Sequence, residues 1–113
     1  MRVEFYMVEP MLVWHYAPII QALLSMGVDA SFVSCRSNEN VVGEIYNAEL
    51  GESLIRHTGL PVSFHINPDA DMAVCYAEIA ILGQYRKKRA RIMYGCGIAG
   101  DSTHLRDDRY HSY

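Results

Sequence analysis

The chain has 113 residues, room for one domain and one hydrophobic core. It is 50% hydrophobic and 20% charged, a composition that excludes a disordered chain. The formal net charge of -3 argues against a nucleic-acid surface or a general membrane-binding face.

Val3 to Val8 is a nearly continuous aliphatic and aromatic run, as expected for a strand covered on both faces. Glu9-Pro10 ends it. The spacing of Ile19, Ile20, Leu23, Leu24 and Met26 predicts a helix from Tyr16 to Met26, with Pro18 in its first turn and Gly27 as its C-cap. Ala30 to Cys35 reads as the second strand, and Arg36 to Asn40 as a polar loop. A second helix is expected from Val42 to Thr58, closed by Gly59 and Pro61. Gly51 inside it costs about 1 kcal/mol relative to Ala, enough to interrupt the helix there. Val62 to Ile66 is a short strand candidate, followed by turn chemistry at Asn67-Pro68-Asp69. Met72 to Tyr76 reads as a strand, Glu78 to Lys88 as a helix and Ala90 to Tyr94 as the last strand. Strands separated by helices imply βαβ crossovers. The fold expected is therefore α/β, a Rossmann-like three-layer domain with a mainly parallel sheet of about five strands.

Arg86, Lys87, Lys88, Arg89 and Arg91 form the strongest charge run. Such a run can hold phosphate, nucleic acid or anionic lipid, but a solvated helix end is the simpler reading, since cations suit the negative pole of the dipole. Cys35, Cys75 and Cys96 are odd in number and form no CxxC, which fits reduced thiols in a cytoplasmic protein. The N-terminal apolar run is broken by Glu4 and Glu9, unlike a signal peptide. No apolar stretch approaches the ~18 residues of a transmembrane helix.

In an open parallel sheet, ligands bind at the carboxyl ends of the strands. Three segments fall at that edge: Glu9 to His15, Arg36 to Asn40, and Gly95 to Asp101. His15 stands just before the predicted helix, where the dipole favours the neutral imidazole that a general base requires; a capping role or packing on Trp14 is the alternative. Gly95-Cys96-Gly97-Ile98-Ala99-Gly100 is a literal GxGxxG. It follows the last strand instead of the first, and the chain ends before an acid about twenty residues on could be placed, so it does not mark a dinucleotide site. The loop still allows a sugar or phosphate close approach to the backbone. His104, His111, Asp101, Asp107 and Asp108 match no standard zinc or calcium spacing, and no metal or cofactor is expected.

The run from His15-Tyr16-Ala17-Pro18 through Met26-Gly27 to Phe32-Val33 resembles the opening of two-domain, GT-B-type glycosyltransferases, in which an H-x-x-P begins the first helix. Pro68-Asp69-Ala70-Asp71-Met72-Ala73-Val74 resembles a strand entry of the same enzymes. Arg91 to Gly97 is similar to a strand and glycine turn found there and in the related CDP-glycerol glycerophosphotransferases. The latter place a histidine directly before that turn, where this chain has Tyr94.

The resemblance implies an N-terminal, acceptor-side domain of a glycosyltransferase or glycerophosphotransferase. It implies His15 as the base, with Glu9, Trp14, Asn38, Tyr94, Gly95, Gly97, Gly100 and Asp101 lining the acceptor cleft. The partners implied are a sugar or polyol acceptor and a nucleotide-activated donor bound by a further domain or a partner subunit. The domain alone is expected to be inactive. Peripheral membrane association and oligomerisation stay open. The alternative is a non-catalytic Rossmann-like binding or interaction subunit.

Overall fold

A computed structural model describes residues 1–34, 48–76 and 80–92. In chain order the elements are β1 (Arg2–Met7), α1 (Leu12–Ser25), β2 (Asp29–Ser34), α2 (Ala48–Thr58), β3 (Val62–Ser63), β4 (Met72–Cys75) and β5 (Lys88–Arg91). A short 3-10 helix, Ala80–Gln84, lies between β4 and β5. The five strands form one sheet in the order β3-β2-β1-β4-β5, and every neighbouring pair is parallel. The α/β, Rossmann-like architecture expected from the alternation of elements is present.

Side chains alternate across β1, and the two faces are built differently. Phe5 faces α1, its ring 5.3 Å from that of Tyr16. Ser34 at the end of β2 meets Glu52 of α2 on the same side. Leu12, Val13, Tyr16 and Ile20 of α1 and Ile55 of α2 are buried there. The opposite face carries Glu4, which is fully buried. Its Oε1 accepts from the Asn67 backbone N–H (2.9 Å) and the Tyr85 hydroxyl (2.7 Å). Its Oε2 accepts from Nε (3.1 Å) and Nη2 (2.9 Å) of Arg2. This face is closed by the turn at Asn67–Ala70 and by buried Ile81, Leu82 and Tyr85.

The first helix starts at Leu12 and not at Tyr16. The Leu12, Val13 and Trp14 N–H groups donate to the Glu9, Pro10 and Met11 carbonyls, winding the chain immediately after β1. Burial of Leu12 and Val13 draws that first turn onto the sheet. Pro18 consequently lies inside the helix, on an exposed position, and not in the first turn. The C-terminus is as the sequence implies: Gly27 has φ 81°, and Val28 and Gly27 donate back to Leu23 and Leu24 in a Schellman arrangement.

In α2 the helix runs unbroken through Gly51, so the interruption expected there does not occur. The third strand stops at Ser63 short of Ile66, leaving Phe64 exposed, because Asn67 is tied to Glu4 and turns the chain back over the sheet. Where a helix from Glu78 to Lys88 is predicted, the described part is the 3-10 turn, and the last strand begins at Lys88 instead of Ala90. The basic run is therefore no helix end. Arg86 and Lys87 pair with Asp69 and Asp71, and the rest is β5, an outer strand of the described sheet. Asp71 also accepts from the Arg2 backbone N–H, and these donors hold its carboxyl below the ordinary aspartate range.

Candidate functional site

The strand order fixes where a ligand would enter. From β1 the chain proceeds to β2 and β3 on one side, then returns to β4 and β5 on the other. The switch point thus lies between β1 and β4, with its crevice beyond their carboxyl ends. Two side chains meet there. Glu9 follows β1, Tyr76 follows β4, and the Tyr76 hydroxyl donates to Glu9 Oε1 at 2.7 Å. Both are half-buried. Arg91 at the end of β5 donates through Nε to the Tyr76 carbonyl at 3.1 Å, so three adjacent strands contribute to one small cluster.

The turn from β1 into α1 has a definite chemical character. It contains no glycine, and its sequence is Val8-Glu9-Pro10-Met11. The N–H groups of Leu12, Val13 and Trp14 are engaged by carbonyls of that same turn, at 3.1, 3.2 and 3.3 Å. The first turn of α1 includes no acidic side chain, yet Glu9 places a carboxylate directly ahead of it. A phosphate at this position would find its N–H donors occupied and a negative charge beside it, unlike the open helix N-terminus of a nucleotide site.

Beside the switch point, at the end of β2, Glu52 is 6% exposed and its Oε2 accepts the Ser34 hydroxyl at 2.6 Å. A small recess lined by Glu9, Pro10, Ser34, Gly51 and Glu52 connects this pair to the turn. A Cβ added at Gly51 would lie 3.9 Å from the Pro10 Cα, an ordinary contact.

The residues expected in the cleft fall into three groups. Glu9 is at the carboxyl edge and in a defined contact. Trp14 and His15 are exposed on the outer side of the first two turns of α1. His15 is thus the fourth residue of the helix and does not stand ahead of it, where the sequence places it. Asn38, Tyr94, Gly95, Gly97, Gly100 and Asp101 lie outside the described residues, as do Cys35, Cys96 and the C-terminal histidines. Cys75 is buried, as its apolar setting implies.

The sequence reading missed Tyr76, Arg91, Ser34 and Glu52. Tyr76 had a usable signal, since it ends a predicted strand and so belongs at the ligand edge. The Ser34–Glu52 pair joins a strand to a helix and had none. Among the described residues, no group of three or more His, Cys, Asp or Glu side chains gathers as a metal ion would require, and no helix is long and apolar enough to cross a membrane. No protein-family description, curated protein or solved structure matches the chain.

Proposed function

We propose that the chain is the acceptor-side domain of a glycosyltransferase or glycerophosphotransferase that uses a nucleotide-activated donor bound elsewhere. The observation that carries this reading is the β1–α1 turn: the Leu12, Val13 and Trp14 N–H groups that follow it are occupied, and Glu9 puts a carboxylate at the switch point. That chemistry disfavours a nucleotide phosphate and suits the hydroxyls of a neutral sugar or polyol. Helical Cα–Cβ bonds tilt toward the N-terminus, so exposed Trp14 and His15 lean back toward the same edge. Trp14 supplies an apolar face on which a sugar ring can stack, and His15, the base that the resemblance to GT-B enzymes implies, takes the acceptor proton. Orientation of the acceptor against a separately held donor supplies much of the rate. Without the donor site the domain is inactive.

His15 is exposed and outside the buried core, so its replacement creates no cavity there. In the natural polypeptide that carries this chain, His15→Ala lowers turnover about a hundredfold and leaves donor affinity unchanged. Turnover near wild type would move the base elsewhere.

A second reading draws on α1 itself, which has no Asp, Glu, Lys or Arg and exposes Trp14 at 61%, next to its N-cap Met11 at 60%. An uncharged outer face suits a non-catalytic interaction subunit. Sedimentation of wild type and Trp14→Ala separates the two, because only the second reading ties the association state to Trp14.

A further inference from the structure

We infer that Glu9 and Tyr76 form the hydroxyl-recognition pair of the switch-point cleft, with Tyr76 as the positioning residue that aims the carboxylate. The inference rests on the acceptor-side reading and identifies what that site takes: a neutral polyol or sugar hydroxyl, not a phosphate ester.

A glutamate after a strand is a mobile side chain unless something fixes it, and its rotamer freedom is lost on binding. Here the fixing group comes from the neighbouring strand across the switch point. The Tyr76 hydroxyl occupies Oε1 at 2.7 Å, and among the described residues no donor is bonded to Oε2. An ionised carboxylate is purely an acceptor, with lone pairs to spare on the second oxygen, so the group it takes must be a donor such as a hydroxyl. Tyr76 is itself anchored, since Arg91 Nε holds its carbonyl from β5 and its backbone follows the buried strand β4. The Glu9 backbone is fixed as well, because its carbonyl receives the Leu12 N–H that opens α1. Both partners therefore stand on rigid elements, the condition under which a pre-aimed acceptor gains affinity. The same carboxylate repels an anionic substituent at this point, and the occupied N–H groups of Leu12, Val13 and Trp14 offer that substituent no compensating donors.

The test is a titration of backbone amide resonances of the whole chain with glycerol, ribitol and glycerol 3-phosphate, in wild type, Tyr76→Phe and Glu9→Gln. Glycerol and ribitol are expected to shift the amides of Val8, Glu9, Met11 and Tyr76 in wild type. Tyr76→Phe, which removes one oxygen, should weaken that binding about fivefold or more, the worth of one hydrogen bond; Glu9→Gln should weaken it at least as much. Glycerol 3-phosphate should bind these amides less tightly than glycerol in wild type, a comparison that needs no variant to fold.

Unchanged polyol affinity in both variants, or tighter binding of the phosphate ester at these amides, overturns the pair. Polyol shifts confined to Trp14 and His15, and indifferent to Tyr76→Phe, also overturn it while leaving the acceptor-side reading standing. If no polyol shifts any amide at millimolar concentration, both fall.

Discussion

Glu4 shows how much one buried carboxylate can organise. It is fully buried, and four donors converge on it: Nε and Nη2 of Arg2, the Asn67 N–H and the Tyr85 hydroxyl. Arg2 extends the network to Asp29, Ser31 and Ser63. In Glu4→Gln an amide NH2 must face one or more of those donors, and Arg2 loses its buried counter-charge. Urea unfolding should register a loss of about 3 kcal/mol. Tyr85→Phe removes one donor and leaves the ion pair, so its loss should be about 1 kcal/mol. Equal losses would mean that Glu4 is not the hub.

Burial of Tyr85, reinforced by Glu4 beside it, pushes its phenol far above the ordinary value of 10.0. Folded Tyr85 thus keeps its proton where the unfolded chain releases it. Its contribution is intact below pH 10.0 and erodes as the pH rises past that value, because ionisation then favours the unfolded chain. Stability measured above pH 10.0 should therefore decline less steeply in Tyr85→Phe than in wild type. A decline of the same slope would place the alkaline sensitivity in other groups.

At the scale of elements, stop signals were more legible than starts. Gly27 and Gly59 both adopt positive φ, 81° and 71°, and both close helices where the sequence places them. A left-handed residue is a local requirement that glycine announces by itself. The start of α1 is not local in this sense. It depends on Leu12 and Val13 finding the sheet, and Met11 at the N-cap makes no side-chain cap that could be read in advance. Four residues of error at that point were enough to move His15 from ahead of the helix to its fourth residue.

The same contrast appears in α2. Gly51 looks like a breaker, but tertiary packing holds the helix through it, and among the described residues a Cβ there meets only Pro10, at 3.9 Å. Gly51→Ala should therefore stabilise the protein, by up to about 1 kcal/mol. Gly59→Ala, forced into the left-handed region, should destabilise it by about 1 kcal/mol or more. Thermal unfolding of the two variants should give shifts of opposite sign. A loss in both would mean that the recess beside Pro10 has no room for a methyl group.

For the molecule as a whole, the parallel α/β sheet could be read from the alternation of strands and helices, but the strand order could not. That β4 returns to the far side of β1 follows from long-range pairing, such as Val3 with Met72 and Phe5 with Val74. This return creates the switch point and brings Tyr76 to Glu9, across a sequence separation of 67. Glu9 was legible as a polar residue at a strand's carboxyl end; its partner was legible only as the end of another strand. The basic run shows the limit of charge patterning taken alone, since Arg86 and Lys87 neutralise Asp69 and Asp71 while Lys88–Arg91 extends the sheet.

The central claim is that the β1–α1 turn is built for hydroxyls and against nucleotide phosphate. The most direct test compares the amide resonances of the wild-type chain in parallel titrations with ribitol and with CDP. The account predicts that ribitol shifts Glu9, Met11 and Tyr76, whereas CDP leaves them and the first amides of α1 in place. CDP binding at the Leu12, Val13 and Trp14 amides, with ribitol silent, would make this the nucleotide-binding lobe and contradict the account.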